Sequence, residues 1–337
     1  MVQARLEISV ICFQKNMSLQ LYPLVFEPIL KERIWGGTKL KTVFNKPIQS
    51  DSTGESWELS TVPGDISCIA EGEYQGKLLS ELISQFPEEI LGEAVHKKFG
   101  TEFPLLFKFI DAKEDLSIQV HPNDELAKKR HNSFGKTEMW YVMQADDNAR
   151  IVVGFKEKSS REEYLKNLED KTLLSILQEV PVKKGDVFFL ETGTIHAIGA
   201  GIVIAEIQQT SDITYRVYDW DRVDAEGKSR ELHIDLALDA INYNTTDTER
   251  TYTKEKNKSN PVVTCPYFIT NYFPLQGEVE IKKQHESFTV YMCMEGNFTI
   301  KYNGMEWNYK KGNTVLLPAA MREYNLEGEA VLLEIYI

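Results

Sequence analysis

"GDVFFLETGTIH", residues Gly185 to His196, and "GNTVLLPAAMRE", residues Gly312 to Glu323, fall into one register. Each is a glycine turn, an apolar strand and a turn of small residues. A polar side chain then follows, His196 in the first copy and Glu323 in the second. The surrounding chain is built in the same way, from short alternating or β-branched runs such as "ARIVVGF", "GIVIAEIQQ" and "FTVYMCMEGNFTIKYNG", separated by Gly, Asn and Asp. This pattern predicts a mainly β protein made of a duplicated barrel. Nothing in the second copy matches the polar residues that the first copy carries at Gln119 and His121, so the second barrel is expected to be degenerate.

Composition bounds what such a protein can do. The chain has 337 residues and 42% hydrophobic content, enough for two domains with cores. A formal net charge of −13 sets up a field that repels nucleic acid and anionic membrane surfaces. An anionic small molecule would need local cations to overcome it. Cys12, Cys68, Cys265 and Cys293 are far apart and lack CxxC spacing, which suits reduced thiols in a cytoplasmic protein. "ISVICF" near the N-terminus is six residues long, follows Glu7 and has no small-residue cleavage site, so a secretory signal is not expected. Residues 1–16 are expected to be an extension that is not native, with Met17 as the natural start.

Helical signals interrupt the strands in a few places. Ser160 followed by Glu163 makes a capping box ahead of Tyr164, Leu165 and Leu168. "ELHIDLALDAINY" has helical spacing from Glu231, and "NDELAKKRH" predicts a short helix whose "KKR" run is a solvated face. From Asn244 to Asn260 the only large apolar residue is Tyr252, so the segment reads as a linker. The expected organisation is therefore a catalytic domain over residues 17–243, a linker over 244–260 and a degenerate barrel over 261–337.

"LSIQVHPND", Leu116 to Asp124, carries the chemistry. Alternation puts Ser117, Gln119 and His121 on one strand face and Leu116, Ile118 and Val120 on the other. The polar face is either wet or a pocket. Glu138 and His196 decide for the pocket, because two imidazoles, a carboxylate and an amide carbonyl form a ligand set for a zinc-like dication. Gln119 and His121, two residues apart, reach one point in space, and one anionic ligand leaves the metal positive enough to polarise a substrate oxygen. Lys136 shares the face of Glu138. Glu206 and Gln208 share a face opposite Val203, Ala205 and Ile207.

The His with a downstream Glu, and the Gly185, Glu191, Gly193 and His196 spacing, match the two consensus blocks of the cupin superfamily. Within it, "FPLLFKFIDAKEDLSIQVHP", "GKTEMWYV", "ETGTIHAIGAG", "EIQQTSDITYRVYDWDR", "RIWGG" and "GESWELS" resemble the type I mannose-6-phosphate isomerases in their short bacterial form. The likeness runs from about Glu27 to the C-terminus and is most specific in "SIQVHP" and "SDITYR". It implies two cupin-type jelly-roll β-barrels with a few intervening helices. It implies one zinc per chain on Gln119, His121, Glu138 and His196, and a zinc-dependent interconversion of mannose 6-phosphate and fructose 6-phosphate through a cis-enediolate. It also implies that Arg216 is catalytic, that Lys136, Glu206 and Asp212 line the site, and that Ser117 contacts the phosphate. Which residue moves the carbon-bound proton stays open. Trp35 and Trp57 are either a wall of the sugar pocket or core aromatics.

Two other readings fit the same ligands. A metal-dependent cupin oxygenase would use them to activate O2, and a non-catalytic sugar-phosphate-sensing cupin would keep metal and pocket without turnover. The Gln ligand and the Arg216 block favour the isomerase over the first. Intact Lys136, Glu206 and Arg216 weigh against the second. The expected partner is a small-molecule sugar phosphate, with no nucleic acid and no membrane; the oligomeric state stays open, a monomer being one option.

Overall fold

A computed structural model describes residues 19–223 and 226–337, so the expected extension over residues 1–16 lies outside the described residues. The chain opens with β1 (Ile29–Gly37), α1 (Lys39–Phe44) and β2 (Thr53–Leu59), followed by the small hairpin of β3 (Thr61–Val62) and β4 (Asp65–Ile66). Helices α2 (Leu79–Gln85), α3 (Pro87–Leu91) and α4 (Glu93–Phe99) precede β5 (Leu105–Ala112), β6 (Ile118–Val120) and α5 (Asp124–His131). Strands β7 (Glu138–Ala145) and β8 (Arg150–Phe155) then lead through α6 (Arg161–Glu169) and α7 (Leu173–Ile176) to β9 (Leu177–Pro181). The first half ends with β10 (Val187–Leu190), β11 (His196–Ile198), β12 (Ile202–Gln209), β13 (Tyr215–Tyr218), α8 (Ile234–Leu238) and β14 (Glu249–Arg250). The second half is β15 (Asn260–Thr264), β16 (Ile269–Lys282), β17 (Thr289–Tyr302), β18 (Met305–Lys310), β19 (Thr314–Leu317) and β20 (Glu323–Tyr336). With 43% strand and 16% helix, the protein is mainly β.

The first half is a jelly roll of two facing sheets, one ordered β1-β2-β5-β12-β7-β10-β14 and the other β13-β6-β11-β8-β9. Strands β5 and β12 are buried along their whole length. One face of β12 sends Ile202 and Ile204 into the space between the sheets. The other sends Val203, Ala205 and Ile207 into a core shared with the helices and the second half. A strand covered on both faces reads as a nearly continuous apolar run, as these two do.

The second half repeats the first, pair for pair. Strand β19 begins two residues after Gly312 and β10 two residues after Gly185, both glycines having φ near +90°. Strands β11 and β20 begin at the matched His196 and Glu323. The long strands β16, β17 and β20 each do the work of two first-half strands: β16 with β20 reproduces β5 with β12 at one end and β6 with β11 at the other. By this register Gln119 corresponds to Lys282, Glu138 to Thr289 and His196 to Glu323. His121 falls at Gln284 in the same register, so no imidazole of the first copy survives, and the carboxylate of Glu323 is exposed.

The helical expectations hold with one shortening. Asn123 caps α5 by accepting the Leu126 N–H at 2.9 Å, and Ser160 caps α6 by accepting the Glu163 N–H at 3.1 Å. The Glu163 carboxylate, however, takes the Ser159 hydroxyl. The helix expected from Glu231 covers only Ile234–Leu238, because His233 is drawn to β13: its N–H donates to Arg216 O and its Nδ1 accepts the Arg216 N–H. Leu116 also departs from the simple alternation. It lies outside β6 and lines the central cavity, while Ile118 and Val120 face the helices. The segment over 244–260 is laid against the first jelly roll, with Glu249 and Arg250 paired to Phe188 and Val187 and the Tyr252 hydroxyl donating to Gly185 O at 2.7 Å.

Candidate active site

Two rows of side chains face one another across the first jelly roll. In one sheet Arg216, Gln119 and His196 are direct cross-strand neighbours on β13, β6 and β11, so they share a face. In the other, Trp57, Lys108, Glu206 and Trp140 are neighbours on β2, β5, β12 and β7. Between the rows lies a cavity of about 390 Å³, lined by both rows except His196 and Trp140 and by Lys136, Ser117 and Asp212 among others. That volume suits a small-molecule ligand, for which roughly 300–1,000 Å³ is usual. Trp35 and Trp57 are each 4% exposed and still line the cavity, so they are core aromatics and pocket wall at once.

Behind the lining residues Gln119 and Lys136, which contact them, His121, Glu138 and His196 bring their ligand atoms within 4.8 Å of one another. The His121 and His196 Nε2 atoms lie 3.5 and 3.4 Å from the two Glu138 oxygens. Each ring donates its Nδ1–H to a backbone carbonyl, His121 to Ile213 at 2.9 Å and His196 to Thr194 at 2.8 Å. This fixes the tautomer and leaves both Nε2 lone pairs free of protons beside the carboxylate, that of His121 accepting the Lys136 ammonium at 3.0 Å, and it is the outer support that metal-binding histidines use. Glu138 Oε1 is buried with no hydrogen-bond partner. Such an atom is costly unless a cation satisfies it, so the residues fit a metal ion. The Gln119 amide is 3.3 Å from His196 Nε2, and a half-turn of that amide presents its oxygen to the same point.

The electrostatics agree. Burial, with the Lys136 cation next, holds His196 down to about 4 and His121 well below its ordinary value, so both rings are neutral lone-pair donors near pH 7. Burial raises the Glu138 carboxyl, against the pull of the Lys136 ammonium, which contacts it directly. Burial works against Glu206 too, yet Lys136 and Lys108 win and hold it ionised. Lys108 Nζ lies 3.1 Å from Glu206 Oε1, an ion pair whose angle makes no hydrogen bond, and Trp140 donates to Oε2 at 2.9 Å.

Five cations line the cavity, Arg33, Lys108, Lys136, Arg216 and Arg230, against three carboxylates, Glu55, Glu206 and Asp212. In a chain of net charge −13 this is a local reversal of sign suited to an anionic ligand. Asp212 is exposed at the rim, while Ser117 is buried beside Gln119. Glu55, Arg33, Lys108 and Arg230 were not singled out from sequence. Glu55 accepts from Trp57 Nε1 at 2.7 Å and pairs with Arg33 at 3.0 Å; burial lifts its pKa, but Lys108 and Arg33 more than offset this. The available signal was Lys108, the one charge inside the apolar run "LLFKFI".

Comparison with known proteins matches residues 24–151 to the catalytic domain of type I phosphomannose isomerase and residues 258–337 to the cupin domain of mannose-6-phosphate isomerase. Mannose-6-phosphate isomerase ManA of Bacillus subtilis is 39% identical over 91% of this chain and 96% of its own length. The chain belongs to the type I mannose-6-phosphate isomerases. A relative from Streptococcus mutans is 34% identical over the same share of both proteins. The crystal structure of a Bacillus subtilis mannose 6-phosphate isomerase superposes with a TM-score of 0.87 at 36% identity, over 94% of this chain and all of that one. A family member thus carries a candidate metal triad beside a cationic cavity. No helix among the described residues is long and apolar enough to cross a membrane.

Proposed function

We propose that the protein is a cytoplasmic zinc-dependent isomerase that interconverts mannose 6-phosphate and fructose 6-phosphate through a cis-enediolate. The observation that supports this most is the placement of the neutral His121 and His196 lone pairs and the partnerless Glu138 oxygen directly behind Gln119 and Lys136, which line a cavity with an excess of cations. Zinc held by Gln119, His121, Glu138 and His196 would supply Lewis-acid stabilisation of charge on the sugar oxygens.

The chain's own groups do the rest. Isomerisation moves one proton between C1 and C2 and another between their oxygens, so it needs a proton acceptor and a proton donor at one end of the cavity. Glu206, kept ionised by Lys136 and Lys108, is the acceptor, and Lys136, held as an ammonium by Glu138 and Glu206, is the donor. Arg216 stands in the row beside Gln119 and can meet an oxygen as its charge develops. Ser117 and the partly exposed Arg33 and Arg230 bind the phosphate, and Trp35 and Trp57 exclude water from the sugar.

The test is turnover of mannose 6-phosphate by purified protein, with metal content measured alongside. The protein is expected to hold about one zinc per chain, as a mixed nitrogen and oxygen site does, and to lose activity to a chelator. His121→Ala and His196→Ala should lose zinc and activity together, whereas His96→Ala, at a half-buried surface position in α4, should lose neither. An active preparation free of transition metal would defeat the zinc assignment.

A further inference from the structure

Gln209 ends β12, one place beyond Gln208, which pairs directly with Glu138. It clamps the residue between Lys136 and Glu138. Its backbone N–H donates to Thr137 O at 3.1 Å, and its side-chain Oε1 accepts the Thr137 N–H at 2.9 Å. Its Nε2 donates to Asp124 Oδ1 at 3.0 Å, an oxygen that also takes the Gly135 N–H at 2.8 Å. Asp124 Oδ2 accepts the Tyr267 hydroxyl at 2.8 Å. Tyr267 lies between β15 and β16, in the second jelly roll, so an unbroken chain of hydrogen bonds runs from that half to the backbone carrying Lys136 and Glu138.

We propose that Gln209, Asp124 and Tyr267 are positioning residues: through them the metal-free second jelly roll holds Lys136 and Glu138 in place at the metal centre. This rests on the reading that the triad binds metal. Thr137 precedes the first ladder pair of β7 with β12 and β10, where the strand alone would fray. The Gln209 amide extends the ladder by one residue. Gln209 and Thr137 are both buried, at 4% and 3% exposure, so no water replaces a lost partner and a loosened clamp is felt by Glu138 one residue on. The relay gives the second half a role in the chemistry without any ligand of its own.

The test is the rate at which excess chelator withdraws zinc from the loaded, full-length protein, read beside thermal melting. Gln209→Leu, which removes both side-chain bonds at similar volume, should release zinc about tenfold faster, the lower end for loss of an outer-shell partner. Tyr267→Phe, a change far from the cavity that should fold normally, should release it about threefold faster, a part of the roughly tenfold that one hydrogen bond to a charged acceptor is worth, since Asp124 and Gln209 stand between it and Thr137. Tyr252→Phe is the control, since its hydroxyl bonds Gly185 outside the relay; it should leave zinc release unchanged. Wild-type release rates in Gln209→Leu and Tyr267→Phe would overturn the proposal, and so would Tyr252→Phe matching Tyr267→Phe. A wild-type protein that binds no zinc would instead remove the metal reading itself, and the relay with it.

Discussion

Of the five cations around the cavity, four are held by carboxylates: Arg33 by Glu55, Lys108 by Glu206, Lys136 by Glu138 and Arg230 by Asp219. Among the described residues Arg216 is the exception. Its Nη1 donates to Glu231 O at 2.9 Å, and its buried Nε has no partner among them. Asp219 binds Arg222 and Arg230, and Asp221 faces Lys171, so neither acidic neighbour in "YDWDR" claims Arg216. An unclaimed guanidinium can stabilise charge that appears only in the transition state, and its loss should lower kcat more than it raises KM. Arg216→Ala should cost about a hundredfold in kcat with zinc retained, the size of effect seen on removing one preorganised donor. Arg216→Lys should recover part of it, since an ammonium lacks the planar fork. Near-normal kcat with a lowered melting temperature would make Arg216 structural and move the role to Lys136. The four residues proposed to hold the metal could be picked out from sequence because their types are scarce and their spacing follows strand geometry. The Glu55, Lys108 and Arg33 network could not, since its members meet only through β1, β2 and β5 pairing.

At the scale of elements, the second jelly roll saves strands by bending them. Strands β16, β17 and β20 are each 14 residues long, belong to one continuous sheet and carry Gly277, Gly296 and Gly328 near their middles, where φ is +78°, +75° and +144°. The three positions are not equivalent. A Cβ on Gly277 meets nothing within 4 Å, whereas one on Gly296 falls 1.9 Å from Glu329 O. Gly277→Ala should therefore cost only the left-handed backbone penalty, about 1 kcal/mol. Gly296→Ala adds a backbone collision and should cost on the order of 3 kcal/mol or more. Urea denaturation of the two variants checks the contrast, and equal losses would refute the close approach as its cause. Strands were the readable elements, because alternation and turn glycines survive in any β-sandwich. Helices α2, α3 and α4 escaped notice because their N-caps are Leu78, Phe86 and Gly92, none of which offers the side-chain oxygen that marks a helix start. The shortness of α8 was hidden too, since the pull of β13 on His233 is a tertiary effect.

Across the whole molecule the two jelly rolls share one core, and the polar text of residues 244–260 conceals this. Phe103 packs on Phe288 with ring centroids 4.6 Å apart, Tyr141 on Tyr272 at 6.4 Å and Phe189 on Phe268 at 6.4 Å. Leu24 even pairs with Leu316 of the second half by a backbone bridge. Burying each large side chain contributes roughly 1.5–3 kcal/mol, so a handful of such contacts rivals the net stability of a typical domain, about 5–15 kcal/mol. Cutting the chain after Tyr243 would remove every second-half partner, and with them β14, which covers the outer edge of β10. Exposed apolar faces and an open strand edge both favour aggregation. Residues 19–243 expressed alone should therefore be insoluble or lack a cooperative melt, and should not retain zinc, although they contain every proposed metal ligand. Size-exclusion chromatography, thermal melting and metal analysis of that fragment decide the matter. A soluble, cooperatively folding, zinc-loaded fragment would show that the first jelly roll is independent and that the contacts across the shared core only join two finished domains.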